Sequence, residues 1–150
     1  MDHDRIVRTI ETAFADTPHP GTAFEDISTT GFDEEIVDYF RPTTWRGHET
    51  RDLRYHSVAL SFFTGPAFRY WLPAFMLAEL SDPKTADVIG ENIAGMLGGR
   101  RTGPPLLREF TGAELDAVAA FLAHCDERYD GGFGRALDAV EAEKARRADP

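Results

Sequence analysis

Apolar residues recur at helical spacing along most of this chain. Ile6, Ile10 and Phe14, with Val7 and Ala13 beside them, predict a first helix over about 3–15. Pro18-His19-Pro20-Gly21 ends it, because proline lacks the amide hydrogen that a helix interior needs. Asp33 is placed to cap a second helix, where Glu34 and Glu35 suit the positive end of the dipole and Ile36, Val37, Tyr39 and Phe40 supply a buried side. Arg41-Pro42 closes that helix. Leu53, Ser57, Leu60 and Phe63 form a third helical stripe from Arg51 onward. The weak alternation from Val58 to Phe62 keeps a short strand at 58–62 open as the alternative.

Thr64 can cap the next helix, with Pro66 in a first turn that tolerates proline, and the helix runs to about Leu80. It is apolar on every side, which predicts a central element buried by its neighbours. Pro73 removes the bond to the Arg69 carbonyl and predicts a kink or a break. Ser81-Asp82-Pro83 opens another helix, with Ile89, Ile93, Met96 and Leu97 facing inward and Gly98-Gly99 at its end. Gly103-Pro104-Pro105 reads as an exposed loop. Thr111-Gly112-Ala113-Glu114 fits a capping box, followed by Leu115, Val118, Leu122, Cys125 and Tyr129 at steps of three and four. Gly131-Gly132 separates a last helix bearing Phe133, Leu137 and Val140, and the polar tail at 144–150 is expected to fray. The fold expected is mainly α: a single compact orthogonal bundle of about six or seven helices over 1–150, its central helix kinked at Pro73.

Charge narrows the partners. The chain holds 26 acidic against 16 basic side chains, a net −10, which opposes free-standing binding to a nucleic-acid backbone. The excess is densest in the first third, at Glu25, Asp26, Asp33, Glu34, Glu35 and Asp38. A solvated surface with helix-starting acids is one account of it, and a surface that steers toward a basic protein is the other. A single cysteine cannot make an internal disulfide. The longest apolar run, Tyr70 to Ala78, is far short of the roughly 20 residues that span a bilayer. The N-terminus lacks a signal-peptide pattern, so a cytoplasmic protein with no membrane or nucleic-acid partner is expected.

Few chemistries are encoded locally. The histidines at 3, 19, 48, 56 and 124 and the lone Cys125 offer no paired zinc-ligand spacing, so neither metal nor cofactor is expected. Nucleophile-elbow and phosphate-loop motifs are missing. Gly98-Gly99-Arg100-Arg101-Thr102-Gly103 follows a helix, where the dipole has the wrong sign for an anion. Cys125 lies on an apolar stripe, and its neighbour His124 points about 100° away. His48, Glu49, Arg51, Asp52, Arg54 and His56 form the densest polar group, in which His56 with Glu49 is a conceivable acid–base pair and solvated capping the plainer account. Arg69 and Glu79 flank the apolar helix, and each must find solvent or a partner. Pairing of Arg69 with an acid from another helix would be structural. A pocket using Arg69, Tyr70, His56 and Glu79 would be functional.

One segment carries a resemblance. Trp45 is followed by Leu60-Ser61-Phe62-Phe63-Thr64-Gly65-Pro66-Ala67-Phe68-Arg69-Tyr70-Trp71-Leu72-Pro73-Ala74-Phe75. This is similar to a family of small bacterial proteins of unknown function, whose hallmark is a Trp and then L-x-F-L-[ST]-x-x-A-F-R-Y-Y-L-P-A-[FY]. Trp71 stands at the second Tyr and Phe63 at the last Leu, both still large and apolar. The opening pattern, Ile10 to Phe14 and then Pro18-His19-Pro20, and the helix at 111–125 resemble that family too. The resemblance implies a shared fold and brings no activity, cofactor or catalytic residue. Its aromatic, apolar character makes Phe68, Tyr70, Trp71, Leu72, Pro73 and Phe75 expected core. The function expected is a non-catalytic, acidic protein-binding module, immunity- or inhibitor-like, in a bacterial cytoplasm. The alternative is a small-ligand binder or enzyme with a pocket beside the 64–80 helix.

Overall fold

Asp2 accepts the amide of Arg5 at 2.9 Å and opens α1, His3–Ala13, which buries Ile6 and Ile10, with Phe14 buried just past its end. The computed structural model describes residues 2–31 and 33–148. Regular structure among them is helical: α2 (Phe24–Ile27), α3 (Glu34–Phe40), α4 (Thr50–Tyr55), α5 (Ala59–Phe62), α6 (Gly65–Ser81), α7 (Pro83–Ala86), α8 (Ile89–Gly98), α9 (Gly103–Leu107), α10 (Gly112–Arg128) and α11 (Gly134–Ala148) follow in order. Among the described residues the one extended pairing is an isolated antiparallel bridge between Ser28 and Phe63.

α6 is the axle. Thr64 caps it by accepting the Ala67 amide at 3.2 Å, and Pro66 sits in its first turn. It runs unbroken through Pro73, so the break expected there does not occur. A proline in a helix interior costs about 3 kcal/mol. Phe68, Trp71, Leu72, Phe75 and Met76 on the same helix are wholly buried, and each large apolar side chain contributes about 1.5–3 kcal/mol. Burial wins. α1, α2, α4, α7, α8 and α9 all pack on α6, while α10 packs between α1 and α11. Phe110 joins these layers, with edge contacts to Phe14 at 6.2 Å and to Phe68 at 6.4 Å.

Five details depart from the pattern expected. The helix count is higher, because α2, α5, α7 and α9 are four- or five-residue turns too short to show a period. The stripe over 51–63 divides into α4 and α5. Between them the bonds tighten to i→i+3, as Ser57 N to Arg54 O and Ala59 N to His56 O, and residues 59–62 are helical, with extended pairing confined to Phe63. The helix expected from 81 to 97 is split where Asp87 turns to φ 53°. Gly103-Pro104-Pro105 opens α9, and glycine is required there because a Cβ on Gly103 would stand 2.3 Å from the Leu97 carbonyl oxygen. The tail expected to fray is helical to Ala148: Arg147 donates to the carbonyls of Leu107 and Arg108, and Arg146 and Arg147 both clasp buried Glu143. Residues 149–150 lie outside the described residues. No helix among the described residues is long and apolar enough to cross a membrane.

Candidate functional site

The polar atoms of the aromatic motif are spent inside the protein. Arg69 Nε donates to Glu114 Oε1 at 2.8 Å and Arg69 Nη2 to Glu114 Oε2 at 3.1 Å, a two-pronged pair. The same carboxylate accepts the Thr111 amide at 2.7 Å to complete the capping box of α10, and it accepts the Thr17 hydroxyl as well. Trp71 Nε1 donates to the Thr43 hydroxyl at 3.1 Å, and Thr43 donates onward to the Phe40 carbonyl. Trp45 Nε1 reaches the Phe14 carbonyl at 3.2 Å, under the Arg46 guanidinium 4.0 Å above its ring. Tyr70 is buried against Trp71 and His19, and that burial pushes its phenol above the usual range. Arg69 and Trp71 therefore tie the α10 cap and the loop after α3 to α6, while Trp45 ties its own loop to the end of α1.

Glu79 stands at the other end of α6. It is 3% exposed and has no cation partner among the described residues. Its Oε1 accepts the amide of Gly90 at 2.9 Å, in the first turn of α8, where Val88 offers no side-chain cap. A carboxylate from α6 thus serves the N-terminus of the ten-residue α8, with the dipole in its favour. A Cβ on Gly90 would lie 2.6 Å from that oxygen, so a side chain here would push the Glu79 carboxylate off the amide. Glu79 Oε2 accepts the Tyr129 hydroxyl at 2.6 Å. Burial and this bond push the Tyr129 phenol up to about 12. A cavity of about 540 Å³ opens on this pair, lined by Glu79, Asp87, Glu91, Tyr129 and Phe133 with Gly131-Gly132 at the turn. Tyr129 and Phe133 stack with centroids 5.9 Å apart.

A second polar centre lies at α3–α4. Tyr39 donates its hydroxyl to His48 Nδ1 at 2.7 Å, and His48 Nε2 donates to the Thr44 carbonyl at 2.7 Å. A carbonyl only accepts, so Nε2 carries a proton, and burial favours the neutral ring in which Nδ1 accepts from Tyr39. Desolvation holds the His48 and His56 imidazoles below the ordinary histidine value and pushes Tyr39 upward. His56 stacks on Tyr39 at 4.3 Å, whereas Glu49 is taken by Arg51 at 2.9 Å. The acid–base pair of His56 with Glu49 does not form. Cys125 is buried, its thiol pushed up to about 12 by desolvation, and His124 turns toward His3 instead. No three His, Cys, Asp or Glu among the described residues converge to hold a metal ion.

Arg69, Tyr70, His56 and Glu79 accordingly occupy separate environments: Arg69 is on Glu114, Tyr70 beside His19, His56 beneath Tyr39 and Glu79 on α8. Of the acidic group, Glu25, Glu34, Glu35 and Asp38 are exposed. Among the described residues only Asp38 has a cation, Arg41 at 3.5 Å, and Glu35 accepts the Tyr55 hydroxyl at 2.9 Å. Asp26 turns back to the Ala23 amide. Asp33 makes no capping bond to α3, because its carboxylate is taken by the Ser28 and Thr30 hydroxyls. Tyr129, Asp87, Glu91 and the Tyr39–His48 bond carry no local sequence motif that marks a site. Gly90 in the first turn of α8 is the available signal, since a glycine inside a helix can mark a close approach.

Residues 2–141 match the model of a family described as a family of unknown function (DUF6714), and the chain belongs to that family. No curated protein and no solved structure matches the chain.

Proposed function

We propose that this chain is a single-domain, non-catalytic binding module of a bacterial cytoplasm, whose acidic face takes a basic partner protein. The observation that carries this reading is the run of exposed carboxylates Glu25, Glu34 and Glu35, which no cation of the described residues neutralises, set beside the exposed ring of Tyr55. Unpaired surface carboxylates steer a cationic partner and raise its on-rate, and tyrosine is a preferred interface anchor. The motif at 60–75 supports the same division of labour, because its polar atoms are used in holding the scaffold together.

Capture from a native lysate at about 50 mM and again at about 500 mM salt tests the reading, since the Debye length falls to a few ångström over that range. The expected result is a basic protein retained at low salt, released at high salt and lost with the Glu34→Lys/Glu35→Lys variant. Retention that ignores both salt and the variant overturns it.

A further inference from the structure

We propose that the cavity on Glu79 is a socket for one arginine or lysine side chain presented by a protein partner. This rests on the reading of a basic partner and adds where and by what chemistry it is gripped. The cavity, about 540 Å³, has three carboxylates on its wall, Glu79, Asp87 and Glu91, and no Arg or Lys among its lining residues. Arg54 already pairs with the Asp87 carboxylate at 3.2 Å and Arg128 lies over the Tyr129 ring at 5.8 Å, which leaves Glu79 and Glu91 as the lining carboxylates to be met. Glu91 has no ion pair among the described residues.

Glu79 is placed to receive a donor. Each carboxylate oxygen has two lone pairs, and here each has accepted one neutral donor, Gly90 or Tyr129. One acceptor position per oxygen remains for a forked guanidinium or an ammonium. Burial on α6 weakens the screening that would blunt such a bond at the surface. The stacked Tyr129 and Phe133 supply an apolar wall for the aliphatic stem of the incoming side chain.

The surroundings favour a protein over a free small cation. Tyr55, Val58 and Tyr129 are the exposed large hydrophobic residues among the described ones, at 69%, 49% and 44%. Tyr129 lines the cavity, and Tyr55 and Val58 belong to the α4–α5 segment, which packs on α7 and α8 and whose Arg54 reaches Asp87. Tyr55 also bonds Glu35, so the socket and the acidic face of α3 adjoin through α4. Aromatic anchors ringed by charge have the composition of a protein interface.

Nuclear magnetic resonance titration of the full chain at low salt tests the socket. The probes are acetyl-Gly-Arg-Gly-amide, the same peptide with citrulline in place of arginine, and N-ethylguanidinium. The arginine peptide is expected to move the amide signals of Gly90, Gly131 and Gly132 saturably, with shifts spreading to Tyr55 and Val58. The citrulline peptide should leave them still, and N-ethylguanidinium should bind at least about threefold more weakly than the arginine peptide. Glu79→Gln should abolish binding. The surface variant Asp87→Asn/Glu91→Gln leaves the buried contacts of Glu79 intact and should weaken binding about tenfold. Equal shifts with citrulline, or undiminished binding by the surface variant, overturn the socket. N-ethylguanidinium binding as tightly as the peptide assigns the cavity to a free small cation and overturns the protein partner here. Glu34→Lys/Glu35→Lys removes the Tyr55 contact but should leave the saturable shifts of Gly90, Gly131 and Gly132 in place, so failure of the acidic-face reading and failure of the socket are read separately.

Discussion

Removing the cation from the Arg69–Glu114 pair is the sharpest test of what the aromatic motif is for. Glu114 is 1% exposed and gathers both prongs of Arg69, the Thr111 amide and the Thr17 hydroxyl. Arg69→Met keeps most of the stem's packing but leaves a buried carboxylate with two neutral donors and no counter-charge. Removing one partner of a buried pair costs about 3–5 kcal/mol. With a urea dependence of about 2 kcal/mol per molar, the unfolding midpoint should fall by about 1.5–2.5 M. Glu114→Gln still offers an oxygen to the Thr111 amide, and Arg69, itself partly exposed, can turn to water. That variant should therefore lose less, about 1–3 kcal/mol. The double variant should be more stable than the two losses added together, because the second change removes a group that the first left stranded. Urea unfolding followed by far-ultraviolet circular dichroism reads all three at constant slope. A loss under about 1 kcal/mol for Arg69→Met, or plain additivity, would refute the placing of this pair at the centre of the scaffold.

Three further outcomes are expected. The Arg146 bond, aided by Arg147, holds Glu143 near pKa 2, below its ordinary 4.5, so its contribution is complete above about 4.5 and is lost as pH falls toward 2. Melting temperature against pH should therefore drop less steeply over that window in Glu143→Gln, and parallel curves would contradict it. Desolvation lowers the folded-state value of His48, so the stability its neutral form supplies is present above about 6.5 and declines below it. Long-range nitrogen–proton spectra should show the Nε2–H form titrating below 6.5, and Tyr39→Phe should raise that midpoint by removing the donor to Nδ1; a midpoint above 6.5 in the parent protein would contradict the geometry. Gly90→Ala, normally a gain of about 0.5–1 kcal/mol in a helix, should instead destabilise by about 1–2 kcal/mol by displacing the Glu79 carboxylate, as a lowered melting temperature would show.

The sequence made the caps and the long apolar stripes legible because their causes are local. Thr64 and Thr111 each satisfy amides three residues ahead, and Ile6, Ile10 and Phe14 share a face through spacing alone. Turns of four or five residues carry no such period, which is why α2, α5, α7 and α9 stayed hidden. Arg69 visibly needed an acid, but Glu114 was already accounted for as a capping residue, and nothing local says that one carboxylate serves both ends. Glu79 and Tyr129 are 50 residues apart, so their bond is a product of tertiary packing alone. Asp33 shows the converse: its position was right for a cap, yet the nearby Ser28 and Thr30 hydroxyls compete for the same oxygens.

Hydrogen exchange on the complex recovered by low-salt capture bears most directly on the division between an inert aromatic interior and an acidic working face. New protection should fall on α3, on residues 54–58 and around 87–91 and 129–133, while the amides of α6 are slow beforehand and stay unchanged. Protection gained instead along 64–81, with α3 indifferent to the partner, would contradict it.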